Sequence, residues 1–170
     1  VTNEHINNEL FYHVDISSTE SIDVLINNII NQFGRIDGLI NAAYPRTKDW
    51  GNKFEDITIQ SWRENVDLQL NSVFYICQKV LTIMKKQKSG SIVNISSIYG
   101  IVGPDFSIYT KTKMTMPAAY SAIKGAIINF TRYLASYYGE YNIRVNCVSP
   151  GGVFADQNPI FVNNYENKVP

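Results

Sequence analysis

The sequence predicts an α/β chain built on a parallel sheet with crossover helices, and two observations carry that prediction. Short apolar runs suited to buried strands (residues 10–14, 36–40, 91–97 and 143–148) alternate with longer segments whose apolar residues recur every three or four positions. The joins are short, and such alternation argues for parallel strands linked by helices. The carboxyl ends of the four runs carry Asp15, Asn41-Ala42-Ala43, Ser96-Ser97 and Pro150-Gly151-Gly152. Ligands of open α/β sheets bind outside those ends, so a site is expected along that edge.

Taken in order, residues 1–9 are polar and read as a frayed end, and Leu10-Phe-Tyr-His-Val14 reads as a short buried strand. Ser17-x-x-Glu20 has the form of a capping box. It opens a helix with Ile22, Ile26, Ile29 and Phe33 on one face, closed by Gly34. Ile36-Asp-Gly-Leu-Ile40 is the next strand, and residues 46–56 form a polar loop. From Trp62 a long helix carries Val66, Leu70, Val73, Cys77, Val80 and Met84 at alternating spacings of four and three. Lys85, Lys86 and Lys88 near its end suit the helix dipole, and Ser89-Gly90 stops it. Ser91-Ile-Val-Asn-Ile-Ser-Ser97 is a third strand, residues 98–116 an irregular connection, and Ile143-Arg-Val-Asn-Cys-Val148 a fourth strand. Residues 153–170 show no strong periodicity and read as a mobile flap or a torn end.

The 170 residues suit about one domain, and 45% hydrophobic with 18% charged residues is an ordinary globular composition. Fifteen basic residues balance fifteen acidic ones, which argues against a nucleic-acid footprint or a polybasic membrane patch. No apolar run has the length of a membrane span, and no signal peptide is visible. Cys77 and Cys147 fall within helix and strand patterns, suiting core packing and a cytoplasmic location. His5 and His13 lack partners at ligand spacing, so no metal is expected.

The stretch Pro117-Ala-Ala-Tyr120-Ser-Ala-Ile-Lys124-Gly-Ala organises the rest. Pro117 fits the start of a helix that continues to about Gly139, with Ile123, Ile127, Phe130 and Leu134 as its apolar stripe. Tyr120 and Lys124, four apart, share a helix face. An ammonium beside a phenol favours phenolate and makes the phenol a usable acid/base near neutral pH. Tyr-x-x-x-Lys occurs four times in the chain, so spacing alone does not choose among the pairs. The small residues around Tyr120, the upstream Ser-Ser and the downstream Pro-Gly-Gly single it out. A helix begun at Tyr109, whose partner would be Lys113, would meet Pro117 in its interior, where proline costs ~3 kcal/mol. Tyr109 is therefore expected in a loop, at most lining a substrate pocket.

Five pieces of sequence, in this order, match one family. They are Asp15-Ile16; Asp37-Gly-Leu-Ile-Asn41-Ala-Ala; Gly90-Ser-Ile-Val-Asn94-Ile-Ser-Ser97-x-x-Gly100; Tyr120-Ser-Ala-Ile-Lys124-Gly-Ala; and Ile143-Arg-Val-Asn146-Cys-Val-Ser-Pro150-Gly151. The chain resembles the short-chain dehydrogenase/reductase family from about residue 10 to residue 153. The resemblance implies a Rossmann-like doubly wound parallel sheet and an NAD or NADP cofactor. It also implies hydride exchange between nicotinamide and a small-molecule carbonyl or alcohol. Carried over by position, Tyr120 is the acid/base, Lys124 tunes it and holds the nicotinamide ribose, and Ser97 hydrogen-bonds the substrate oxygen. Asp15 and Ile16 meet the adenine, Asn41, Ala42 and Ala43 line the cofactor, and Pro150, Gly151 and Val153 lie against the nicotinamide. Asn94 and Asn146 are expected to be structural.

The departures are equally specific. The family's fourth catalytic residue, an Asn, falls on Gln69, and its Asn-Asn-Ala-Gly reads Asn41-Ala42-Ala43-Tyr44. The interval from Ser97 to Tyr120 is longer than usual, with the excess within residues 103–116. The glycine-rich turn that opens the family's fold is not found, so residues 1–170 are expected to form a single partial domain of an incomplete sheet. The segment from Ser96 to Pro117 is similar to a subgroup linked to bacterial surface sugars, including flagellin modification, which implies a keto-sugar or sugar-nucleotide substrate. The resemblance also implies a homo-oligomer at full length, through the helices that carry Gln69 and Tyr120. The alternative reading is a non-catalytic remnant that only binds a partner.

Overall fold

The computed structural model describes residues 3–6 and 9–169. Its centre is a parallel sheet of β3 (Gly38–Asn41), β4 (Gly90–Ile95) and β5 (Ile143–Val148), with β4 in the middle. Asn41 pairs with Asn94, and Asn94 in turn with Cys147, so the carboxyl ends of all three strands lie level.

Three helices pack on it: α1 (Thr19–Phe33) leads into β3, while α3 (Ser72–Gln87) and α4 (Ala118–Tyr138) lie in the crossovers from β3 to β4 and from β4 to β5. Ile22 and Ile26 of α1, Cys77, Leu81 and Met84 of α3, and Leu134 of α4 share one core with Ile92, Ile143 and Val145 of the sheet. These helices therefore cover one face of the sheet. On the pleat's other face Ile40 and Val148 stay open, at 69% and 48% exposure. The described residues thus form one helical layer of the doubly wound arrangement. The stripe read from sequence holds here, since Val73, Cys77, Val80 and Met84 are all buried. Asn94, fully buried, accepts from the Asn41 amide at 2.8 Å and donates to Thr131 Oγ1 at 2.9 Å, tying β3, β4 and α4 together. Asn146, expected beside it as structural, points outward and is exposed.

Several expectations need correction. The first apolar run is not a buried strand of this sheet. Residues Glu9–Tyr12 form β2, which pairs antiparallel with β1 (Asn3–Ile6) in a separate ribbon, and Phe11 is 47% exposed. Its strand propensity is satisfied by its own neighbour, inside the stretch expected to be frayed; residues 1, 2, 7, 8 and 170 of the expected ends lie outside the described residues. The cap of α1 is Ser18, one residue late, because Ser17 bonds back to Asp15. Gly34 closes α1 at φ +74 as expected, but Phe33 turns outward. The long helix begins earlier than Trp62, as α2 (Ile59–Val66) capped by Thr58, and joins α3 through a π-helical turn, Asp67–Asn71. There the Ser72 N–H reaches back five residues to the Asp67 carbonyl. Residues 98–116 contain two 3₁₀ turns, Ile98–Gly100 and Phe106–Tyr109. The final stretch, read as lacking periodicity, carries a helix: Asn158 caps α5 (Pro159–Glu166), with Pro159 in its first turn.

Candidate active site

The carboxyl edge of the sheet opens into a cavity of about 580 Å³. Of the residues singled out from the sequence, Ser97, Tyr120, Lys124, Ala42, Pro150, Gly151 and Val153 line it. Each is placed by an identifiable local cause. Ser97 caps the turn after β4, its hydroxyl accepting the Tyr99 N–H at 3.2 Å. Ser96, just before it, donates its hydroxyl to the Lys124 carbonyl at 2.8 Å, which fixes β4 against α4. The Ile98 N–H donates to the Pro150 carbonyl at 3.1 Å, so the loop after β5 is pinned beside the same turn. Pro117 ends the preceding extended segment at ψ +133 and sets Tyr120 in the first turn of α4.

Lys124 is 93% buried, and burial lowers its pKa from the ordinary lysine range. Its Nζ donates to the Ile95 carbonyl at 2.8 Å. The same ammonium sits 5.6 Å from the ring centres of both Tyr120 and Tyr44. The i, i+4 spacing thus delivers the cation to the phenol ring, as expected, while a strand-end carbonyl takes its hydrogen bond. In the competing pair Tyr75/Lys79, both side chains are bound to the Asp23 carboxylate at the surface. Tyr109 lies in the second 3₁₀ turn and lines the cavity, and burial raises its pKa.

Other expected site residues lie elsewhere. Ile16, Asn41 and Ala43 line a smaller cleft of about 100 Å³, and Ala42 lines both spaces. The Asn41 side chain faces inward to Asn94 and Cys77, so only its backbone remains for a ligand. Asp15 is exposed, and Ser17 donates to its Oδ1 from both backbone and hydroxyl, holding its carboxyl below the usual carboxylate range. Gln69 does not line the cavity. It sits in the π-helical turn, 96% buried, with neither amide atom bonded to a protein group.

Sequence reasoning missed several cavity residues. Tyr44 packs edge-on to Tyr120 (5.6 Å) and to Trp50 (5.7 Å). The Tyr165 hydroxyl accepts the Gly152 N–H at 2.7 Å, and Phe161 stacks on Tyr109 at 5.4 Å. The start signal Asn158-Pro159 and the i, i+4 pair Phe161/Tyr165 could have revealed this wall. Among the described residues no cluster of His, Cys, Asp or Glu could hold a metal, and no helix is long and apolar enough to cross a membrane.

Comparison with known proteins bears on these geometries. The sequence profile of a family described as "Enoyl-(Acyl carrier protein) reductase" matches residues 2–158. The chain is 34% identical over 164 residues to "Post-translational flagellin modification protein A" of Campylobacter coli, covering 96% of this chain and 64% of that one. It is 33% identical to levodione reductase of Leifsonia aquatica, covering 92% and 53% respectively. The crystal structure of a short chain dehydrogenase from Leptospira borgpetersenii with bound NAD+ superposes with a TM-score of 0.87 at 37% identity, covering 97% of this chain and 62% of that one. The chain therefore spans between about half and just under two thirds of the length of these relatives. It belongs to the short-chain dehydrogenase/reductase family, and its α/β architecture is the Rossmann-type fold of that family.

Proposed function

We propose, from the chain's membership of that family, that the protein carrying it is an NAD- or NADP-dependent oxidoreductase acting on a carbonyl/alcohol pair. The convergence of Ser97, Tyr120 and Lys124 on one cavity is the observation that carries this reading. The cavity is roomy enough for a nicotinamide and a small substrate together. Lys124, Pro150, Gly151 and Val153 would hold the nicotinamide end, and the cleft joined through Ala42 would continue the path toward Asp15 and Ile16. When bound, the nicotinamide supplies or accepts the hydride at the carbonyl carbon. The Tyr120 phenol gives its proton to the substrate oxygen in reduction and takes it back in oxidation. Ser97 donates a hydrogen bond to that oxygen, and the Lys124 ammonium stabilises the phenolate left behind. Gln69, buried with both amide atoms free of protein partners, would hold a water that relays the proton outward.

The substrate proposed is a keto-sugar or sugar nucleotide, supported by the similarity to the flagellin modification protein. Cytoplasmic location and homo-oligomer formation at full length belong to the same proposal. The reading of a module that only binds a partner draws no support from the comparisons. The test replaces Tyr120 and Tyr109 separately by Phe in the full-length protein and follows nicotinamide absorbance. Tyr120→Phe is expected to lower turnover on the order of 10²–10⁴-fold, as for loss of a positioned acid. Tyr109→Phe is expected to change the Michaelis constant more than turnover. The reverse ranking would overturn the assignment of the acid/base.

A further inference from the structure

At position 44, where the family resemblance leads one to expect glycine, this chain places a large aromatic ring, and the ring is built into the site. Tyr44 follows β3 by three residues, and β3 ends on Asn41, which is fixed to Asn94. Its ring meets Tyr120 at 5.6 Å and 77°, and Trp50 at 5.7 Å and 81°. Trp50 also meets Tyr120, at 6.3 Å and 81°, so the three rings close on one another edge to face. The Lys124 ammonium, 5.6 Å from the centres of both Tyr44 and Tyr120, is held between two π systems.

The loop that carries this cluster is anchored. The Thr47 N–H donates to Asn65 Oδ1 at 3.1 Å, and Asn65 Nδ2 donates to Thr47 Oγ1 at 2.8 Å. Ser61 donates its hydroxyl to Asp49 at 2.8 Å. Asn65 and Ser61 are both buried on α2. Tyr44 keeps 38% of its surface exposed, yet its hydroxyl is desolvated enough to push its pKa up to about 12, so the ring stays neutral throughout the working range of pH. A rotatable phenol and a flexible lysine stem are thus braced by two rings on a loop fixed to α2.

We propose that Tyr44, backed by Trp50, is a positioning residue that holds the Tyr120 phenol and the Lys124 ammonium in their reactive arrangement through its π face. This inference rests on the reading of Tyr120 as the acid/base. It distinguishes the π face from mere bulk, and the test does the same. In the full-length protein, Tyr44→Phe keeps the ring, while Tyr44→Leu keeps apolar bulk without one. Turnover and Michaelis constants are measured by nicotinamide absorbance beside Tyr120→Phe. In a Trp62→Phe background, the emission lost on adding Trp50→Phe is the signal of Trp50 and reports the ring cluster by fluorescence.

Tyr44→Phe is expected to retain most of the turnover and the Trp50 emission. Tyr44→Leu is expected to lose turnover by about 10–100-fold, the scale set by an ångström of misplacement, with Michaelis constants changed by less than a few fold. Its Trp50 emission should shift to the red, while its unfolding midpoint stays near that of the parent. A Tyr44→Leu protein as active as the parent would overturn the proposal. So would one altered only in its Michaelis constants, because Tyr44 would then be a substrate contact alone. If Tyr120→Phe itself keeps full turnover, the underlying acid/base reading fails instead, and the two failures are told apart within one set of variants.

Discussion

Gly100 and Gly125 face each other where the turn after β4 meets α4, and replacing each by Ala should have opposite effects. A Cβ on Gly100 would lie 2.6 Å from the Lys124 carbonyl carbon, 2.7 Å from its oxygen and 2.9 Å from the Gly125 nitrogen. All three are backbone atoms, so no side chain can rotate away. The 2.6 Å approach falls about 0.8 Å short of the 3.4 Å at which ordinary contact begins, and the turn must recede from α4 by roughly that much. The Ser96 hydroxyl bond to the Lys124 carbonyl, now 2.8 Å, would be stretched past bonding distance. Overpacking costs ~1–3 kcal/mol and the lost bond ~1 kcal/mol, so Gly100→Ala should destabilise by about 2–4 kcal/mol. Ser97 rides on the turn and Lys124 on the helix, so turnover should also fall, on the order of 10²-fold for a shift near 1 Å. A Cβ on Gly125 meets only the Gly100 oxygen, at 3.5 Å, an ordinary contact. Gly125 lies in the interior of α4, where Ala is favoured by ~0.5–1 kcal/mol, so Gly125→Ala should be neutral or stabilising. Urea unfolding of the full-length protein reads the first effect and nicotinamide absorbance the second. A Gly100→Ala protein as stable and active as the parent, or a Gly125→Ala protein worse than it, would refute the packing argument.

Substitutions at two further positions separate stability from chemistry. Burial lowers the pKa of Lys124, so between that lowered value and ~10.4 the unfolded chain binds more protons than the folded one, and stability should rise with pH there. In Lys124→Met that rise should vanish and stability at neutral pH should not fall, although turnover collapses; a Lys124→Met protein that unfolds more easily at neutral pH would contradict the sign. Gln69→Asn, which restores the amide usual in the family, should keep turnover, whereas Gln69→Ala should lower it about fivefold or more, the worth of one hydrogen bond. Unchanged turnover in Gln69→Ala would remove Gln69 from the mechanism.

What the sequence disclosed is what local chemistry decides. The start of α4 was legible because Pro117 bars a helix from passing through it, which is also why Tyr120, and not Tyr109, falls in its first turn. Strand β5 was legible in full because its apolar residues are bounded by the turn before it and by Pro150 after it. The π-helical turn was not legible. No proline or glycine marks residues 67–71, and the extra residue is absorbed by tucking the Gln69 amide inward, a choice made by packing. The first apolar run was misplaced because strand propensity says nothing about which strand will be the partner. The Tyr44, Trp50 and Tyr120 cluster escaped because its members are brought together by tertiary structure alone.

The legible and illegible parts of the site also divide by position. Ser97, Tyr120 and Lys124 stand on the end of β4 and the first turns of α4, joined through the Ser96 bond to Lys124. The opposite wall is built where the chain departs from the family pattern. Tyr109, within the lengthened connection, stacks on Phe161 of α5. Asn164 of α5 donates to the Ile108 and Thr110 carbonyls at 3.1 Å each, and Lys168 pairs with Asp105 at 3.0 Å. The added residues are therefore not a slack loop, since they are clamped to a helix that itself holds Gly152 through Tyr165. Reactive groups on regular elements keep their geometry when loops change, and a wall made of loops can be reshaped without disturbing them. That division separates the motifs of β4 and α4, which carry the proposed chemistry, from the wall of residues 109, 161 and 165, which lines the same cavity and is assembled by tertiary packing.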